Sequence, residues 1–501
     1  MSENTRPFQS AKISDPQILQ NVTSQDTLVP NISTSHMLDE EVFLDTSKTA
    51  KNEKYFTEET HELKKTPDFI ADDGIDYPEG GFKAWIVIFG CFCGLTPTFG
   101  IINAMGIIET HIQSNQLASV SSSTIGWVFS LFLFINFGSC IFSGTYFDRN
   151  GSTLPLIIGT CFQVGGLFGM ANSTKLWHFL LSFSILCGLG NGTLMSPLAS
   201  VPSHYFMRKR GTATAIATAG GSIGGIVYPI LLRKMFGMKS HTSENYGFIW
   251  GIRTMAFMNL GLLIISILLA KERLPHIEDK ESDKQNPKWK RVLNTYVLEC
   301  FHLKSFTEMN YLFCVLGTLF GEVSITSAMT YYGAYATSKG VSSSDAYLLI
   351  MVINIAGIPG RWLPGIFSDI FGRFNVAITT LLFLTFITLV AWLPFGNTLG
   401  NLYGVSVLYG FSSGSVFSLL PVCCGQISKT EEFGRRYSTM YFVVAFGTLV
   451  GAPITGAIIG PDKTHSGYQN YVIWCAMTSL ASAICFIISR YFCVGMKAVK
   501  F

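Results

Sequence analysis

Twelve long apolar runs fill the chain from about residue 84 to residue 493, and they constrain its fold more than any other feature. They fall at 84–108, 123–146, 153–171, 176–203, 211–232, 247–270, 310–335, 345–368, 375–395, 399–424, 437–460 and 468–493. A helix of about 20 residues rising 1.5 Å per residue crosses the ~30 Å hydrocarbon core of a bilayer. Charged residues are 13% of the chain and the mean hydropathy is +0.37, whereas an ordinary soluble domain is roughly 25% charged. A soluble fold cannot hide that much apolar surface. The sequence therefore predicts an all-α membrane protein with 12 transmembrane helices.

The Lys and Arg distribution orients it. One set of loops and the C-terminal tail hold 19 of these residues, among them Arg149, Arg208, Lys209, Arg210, Arg373, Arg435 and Arg436. The other set holds six: Lys175, Arg233, Lys234, Lys239, Lys339 and Lys463. The positive-inside bias places the first set, and both termini, in the cytosol. Residues 1–82 are rich in Ser, Thr, Asp, Glu and Asn without a sustained period, and are expected to form a disordered cytosolic tail. No basic-then-apolar start with a cleavage site precedes the first run, so no removable signal peptide is expected. A first six-helix half is expected over 83–270, a cytosolic linker over 271–309, a second half over 310–493 and a short cytosolic tail over 494–501. Val292, Tyr296, Val297 and Phe301 recur at helical spacing beside basic residues, so part of the linker reads either as an amphipathic surface helix or as plain solvated chain.

Most of the 12 cysteines lie inside the runs, and their spacing is not that of a zinc site. They read as small packing residues, and no metal or cofactor is implied. Nothing mixes dense basic residues with aromatics as a nucleic-acid surface would. No motif brings together a nucleophile, a base and an orienting group, so an enzyme is not expected.

Two short loops carry the first functional signal. Gly144, Asp148, Arg149 and Gly151 lie between the second and third runs, and the spacing returns as Gly365, Asp369 and Gly372, followed by Arg373, between the eighth and ninth. Glycine lets helix ends approach closely, and an acid there can bond exposed helix N-termini. The recurrence suggests two related halves, with these charges expected either to lock one conformation and release another or only to cap helices and orient loops.

The repeated Gly-x-x-x-Asp motif resembles the major facilitator superfamily signature. The segment Tyr205 to Gly220, with Arg208, Lys209, Arg210 and Gly211 leading into alternating Ala and Thr, is similar to the fifth-span signature of the monocarboxylate porter family. Glu79, Gly80, Gly81, Phe82, Lys83, Ala84 and Trp85 resemble that family's first-span motif. The resemblance covers residues 79–493, and the long polar tail resembles the fungal branch. It implies a secondary transporter working by alternating access, with Arg208, Lys209 and Arg210 at the inner mouth.

Charges inside the membrane cost at least ~2.5 kcal/mol unless paired or wetted. Arg361, in the eighth run, matches by resemblance the family's arginine that pairs with a substrate carboxylate. Glu322, in the seventh, lies at a similar expected depth. The two are expected either to form an ion pair that an anionic solute breaks, with Glu322 able to carry a proton, or to stay permanently paired. Asn103 stands where animal monocarboxylate carriers have a lysine, and Gly357 where they have an acid, so their proton-and-carboxylate relay does not carry over. Asn103, Asn136, Asn191 and Asn354 suggest either a site that hydrogen-bonds a neutral solute or bonds between helices. Tyr331, Tyr332 and Tyr335 read either as a stacking surface or as anchors at the membrane interface. Arg253 is expected to snorkel.

The expected partners are the lipid bilayer, a small organic solute and, in a coupled mechanism, a proton. A monocarboxylate-like anion is the family-level solute; a neutral or aromatic metabolite such as a vitamin is the alternative. A nutrient sensor that binds without moving solute is the reading from another class. Between membranes, the plasma membrane is favoured over that of the vacuole.

Overall fold

The computed structural model describes residues 75–238, 245–274, 300–301, 303–460, 464–497 and 499–501. Most of the expected tail, most of the central linker, and Lys239, Lys463 and His302 lie outside the described residues.

Among the described residues, 12 helices are long and apolar enough to cross a membrane: α1 Phe82–Ser114, α2 Thr124–Asn150, α3 Thr153–Ala171, α4 Leu176–His204, α5 Arg210–Phe236, α6 Tyr246–Leu269, α7 Met309–Ser338, α8 Ser343–Phe371, α9 Arg373–Phe395, α10 Leu399–Gln426, α11 Thr430–Ile459 and α12 His465–Val494. Each expected run is found, within a few residues at most ends. With an even number of spans, residues 75–81 and 495–501 share one end of the bundle, here termed the terminal face. Large side chains such as Phe89, Phe142, Phe257, Phe386 and Phe446 are more than half or about half exposed. On membrane-spanning helices that surface meets lipid rather than water, and only helices with internally satisfied backbones can present it.

Helices α1–α6 form one half and α7–α12 the other. Between the halves, α2 packs on α11 and α5 on α8. Small residues set the close approaches. Within the first half, a Cβ on Gly224 of α5 would fall 2.4 Å from the Thr96 carbonyl and 2.8 Å from Gly100 Cα of α1. Lipid tails give no hydrophobic drive between helices, so such close contacts supply the attraction.

Polar side chains inside the first half bond helix to helix. Asn191 of α4 donates to the Thr98 carbonyl of α1 at 3.1 Å and to Asn136 Oδ1 of α2 at 2.9 Å, and accepts from Gln163 of α3 at 2.6 Å. Asn136 and Asn191 are thus cross-links of a finished core. Tyr332 and Tyr335 are likewise interior rather than interfacial. They pack on Trp392 with Tyr409 and Tyr471 nearby, and Tyr332 Oη shares a hydrogen bond with Ser406 at 2.7 Å. Tyr331 donates to the Ala452 carbonyl at 3.0 Å. Arg253 donates to Asn172 at 3.0 Å and stacks over Trp250. Two spans are locally wound as π-helix, Leu180–Cys187 in α4 and Ile387–Trp392 in α9, a distortion that no hydrophobic period announces.

Candidate functional site

On the side opposite the terminal face, several helices supply their own N-caps: Ser342 bonds the Asp345 amide, Thr398 the Asn401 amide and Thr464 the Gly467 amide. At the terminal face, α5 and the α-helical part of α11 have no side-chain cap from the residue preceding them. Their exposed N–H groups are satisfied from across the molecule. Asp369, at the end of α8, accepts from Gly211 N and Thr212 N, each at 2.8 Å, and from Thr212 Oγ1 at 2.7 Å. Asp148, at the end of α2, accepts from Gly434 N at 2.9 Å and Arg435 N at 2.7 Å. Each acid meets the second and third residues of a helix in the other half, where an ordinary N-cap would bond. The positive end of the helix dipole favours the carboxylate.

Glycine makes both crossings possible. A Cβ on Gly144 would lie 2.3 Å from the Gly434 carbonyl, and one on Gly434 would lie 2.3 Å from Asp148 Oδ1. In the related crossing, a Cβ on Gly365 would lie 2.4 Å from Ala215 Cβ, and one on Gly211 would lie 2.0 Å from Ser368 Oγ. Gly151 and Gly372 end α2 and α8 at φ of 85° and 99°, a region that side chains disfavour.

The basic residues do different jobs. Arg210 is buried and spans the halves, donating to the Gly425 carbonyl at 2.7 Å and to Thr430 Oγ1 at 3.1 Å. Arg373 is also buried and bonds the Met207 carbonyl and Gln426. Arg208 and Lys209 have exposed side chains, and their contribution to this face comes from their backbone. The Glu79 carboxylate accepts from the amides of Met207, Arg208 and Lys209 at 2.7, 2.5 and 3.1 Å. Tyr77 reaches the second half, sharing a 2.7 Å hydrogen bond with Thr430. Arg149 is half-buried beside Asp148 in the last turn of α2. Burial pushes the Tyr205 phenol up from its ordinary value, which keeps it a neutral donor to the Lys271 carbonyl, 3.0 Å away.

Midway along the helices, the expected ion pair between Arg361 and Glu322 is not formed directly. Arg361, 3% exposed, reaches instead into the first half, where Nη1 donates to the Thr218 carbonyl of α5 at 2.7 Å. Its guanidinium carbon lies 5.9 Å from the Phe99 ring of α1 and 5.1 Å from the Phe417 ring of α10, within cation–π range. Glu322, 2% exposed, accepts from Tyr441 Oη of α11 at 3.1 Å. Tyr441 packs on Tyr437 and on Phe137 of α2. The two charges remain within electrostatic range, each held by a neutral partner. Arg361 is held by one carbonyl and two rings, and among the described residues its buried Nε has no hydrogen-bond partner.

Asn103 is partly buried and donates to the Phe99 carbonyl at 3.0 Å. It converges with Asn354 on Gly225, where a Cβ would fall 2.4 Å from Asn354 Oδ1 and 3.1 Å from Asn103 Cγ. The mid-bundle site therefore offers a cation, a carboxylate, amides and a set of aromatic rings drawn from both halves. Sequence reasoning did not single out Phe99, Phe417, Tyr441, Gly434 or Thr430. Among these, Gly434 carries a detectable signal, since Gly434 and Arg435 parallel Arg210 and Gly211 at the start of a span. Single aromatics in a chain with 40 Phe residues carry none.

A family model described as Major Facilitator Superfamily matches residues 85–452. The riboflavin transporter MCH5 of Saccharomyces cerevisiae is 62% identical over 446 residues, covering 89% of this chain and 85% of that protein. MFS-type transporter 1 of Ophiocordyceps sp. is 33% identical over 443 residues, covering 88% of this chain and 93% of that protein. Among solved structures, the proton:xylose symporter XylE bound to 6-bromo-6-deoxy-D-glucose matches with a TM-score of 0.60 at 13% identity, covering 80% of this chain and 94% of that one. The transporter FucP in the outward conformation matches with a TM-score of 0.59 at 16% identity, covering 82% and 99%. At these identities the two structures speak to the fold alone.

Proposed function

This chain belongs to the major facilitator superfamily and is a membrane transporter rather than an enzyme; from that premise we propose that it moves riboflavin, or a closely related planar heteroaromatic metabolite, by alternating access. The observation that carries the reading is the 62% identity to a riboflavin transporter over nearly the whole of both chains. The mid-bundle chemistry agrees with it. The pyrimidine edge of an isoalloxazine ring presents carbonyl acceptors flanking an N–H donor, which suit the Arg361 guanidinium and the Glu322 carboxylate. Phe99, Phe417 and Tyr441 supply apolar and π surface to the ring, and Asn103 an amide to the hydroxylated side arm. The vitamin alternative is thus better supported than a monocarboxylate-like anion.

The positive-inside bias assigns the terminal face to the cytosol, with the plasma membrane as the working location. In this reading Asp148, Asp369, Arg210, Arg373 and Glu79 hold the cytosolic gate shut. Gly144, Gly211, Gly365 and Gly434 let its helices meet, while Gly151, Gly372, Arg149, Arg208 and Lys209 shape the loops around it. A solute at Arg361 competes for the groups that tie α8 to α5, which links occupancy to release of the gate.

The test is uptake of labelled riboflavin by cells that lack their own uptake, carrying an empty vector, the wild-type chain or Arg361→Ala. Saturable uptake that needs the wild-type chain and falls at least about tenfold in the variant, the loss expected for one or two charge-assisted contacts of ~1.5 kcal/mol or more, supports the reading. Uptake of lactate or pyruvate but not riboflavin would return the solute to the anion class. Riboflavin-dependent signalling without flux would make the chain a sensor.

A further inference from the structure

A cleft of about 430 Å³ opens between the halves near the end of the bundle opposite the terminal face, a size that accommodates drug-sized ligands. Ile107 of α1, Pro229 and Ile230 of α5, and Met351 of α8 form apolar walls, with Tyr347 beside them. Arg233 and Lys234, in the last turn of α5, supply its two cations. Arg233 Nη2 donates to Ser344 Oγ of α8 at 2.6 Å, so this rim also joins the two halves.

The cleft stands directly over the mid-bundle site. Ile107 follows Asn103 by four residues, Pro229 follows Gly225 by four, and Met351 precedes Asn354 by three, so each wall residue sits one helical turn from the layer in which Asn103 and Asn354 close on Gly225. Below that layer lie Phe99 and Arg361. A solute entering from this end meets the apolar cleft first, the amides second and the guanidinium last.

We propose that the cleft is a second binding site, an antechamber for a planar ring bearing a phosphate or similar anionic arm, with the ring against the Tyr347 and Ile107 walls and the anion on Arg233 and Lys234. The choice of ring rests on the proposed solute; the choice of anion rests on the two rim cations. The chemical class is then a phosphorylated heteroaromatic, for which flavin mononucleotide is a direct probe. It would occupy the antechamber and hinder uptake of the uncharged solute from that side.

The experiment uses the full-length chain in phosphatidylcholine nanodiscs and follows quenching of flavin fluorescence on titration with flavin mononucleotide or with riboflavin. We expect Arg233→Gln/Lys234→Gln to weaken flavin mononucleotide binding at least about tenfold, as loss of charge-assisted contacts does, while riboflavin binding changes less than about twofold. Raised salt weakens the phosphorylated probe selectively. Met351→Trp, which fills the cleft and leaves the rim charges in place, also weakens the phosphorylated probe. Equal binding of that probe to wild type and rim variant, or no binding at all, overturns the proposal. So does its loss when phosphatidylglycerol replaces phosphatidylcholine, which would make the cleft a lipid site. Because the titration needs no flux, a wild-type chain that fails to take up riboflavin counts against the proposed function and leaves the rim measurement to be read on its own.

Discussion

The proposed terminal-face gate and the proposed mid-bundle site lie on the same seam between the two halves, yet they are built on opposite plans. The gate is nearly symmetric and backbone-directed. Asp148 caps α11, Asp369 caps α5, and in each case the acid meets the second and third amides of a helix in the other half. The mid-bundle site is asymmetric and side-chain-directed: Arg361 and Glu322 both come from the second half, while the first contributes Phe99, Phe137, Asn103 and the Thr218 carbonyl. A duplicated element can keep a common latch in both copies, but recognition of an asymmetric solute requires the copies to diverge where the solute sits.

The sharpest way to break this comparison is to block the backbone approach itself. Gly211→Val places a Cβ 2.0 Å from Ser368 Oγ and 2.6 Å from the Gly365 carbonyl oxygen. Overpacking of that kind costs about 3 kcal/mol, so we expect riboflavin uptake to fall on the order of a hundredfold while epitope labelling shows normal amounts in the membrane. Near-normal uptake would mean that the helices need not meet so closely.

Next in size is the mid-bundle site. Arg361→Ala should cost ~1.5–3 kcal/mol of solute binding, and Arg361→Lys should recover only part, because an ammonium lacks the planar fork. If uptake is proton-linked, Glu322→Gln should remove its dependence on external pH and keep a residual flux. A pH profile unchanged by the substitution would remove Glu322 from coupling.

The two latches provide a finer comparison. Asp369 accepts three hydrogen bonds and Asp148 two, so Asp369→Ala should reduce uptake more than Asp148→Ala, by roughly tenfold against about fivefold at ~0.5 kcal/mol net per lost bond. The reverse order would show that hydrogen-bond number does not set latch strength. Glu79→Gln should have the smallest effect, about two- to fivefold in uptake, since the amide keeps one acceptor oxygen for the Met207 to Lys209 turn. A loss as large as that of Asp369→Ala would promote Glu79 from support to latch.

The spans were readable because burial in lipid demands long apolar runs, and the acid side of each latch because Gly-x-x-x-Asp recurs. The receiving side was harder to see. A helix N-terminus acts through its backbone, so Thr212 and Arg435 leave little trace of their role in side-chain chemistry. Similar depths for Arg361 and Glu322 suggested an ion pair that the structure does not form directly, because rotation about a helix axis, which depth does not give, decides whom a side chain meets. Arg361 turned toward α5, and Glu322 toward Tyr441. Tyr332 and Tyr335 matched the pattern of interface anchors but pack around Trp392, since proximity to a span's end does not reveal which face is covered.

In the proposed mechanism, two reciprocal carboxylate latches hold the terminal face closed. Spin labels on the exposed side chains of Arg208 and Glu431, read by pulsed electron resonance in nanodiscs, test it most directly. A dominant short distance is expected in the wild-type chain and, in Asp148→Ala/Asp369→Ala, which leaves no acceptor for the helix amides, a major second population at longer distance. An unchanged distribution in the double variant would contradict it.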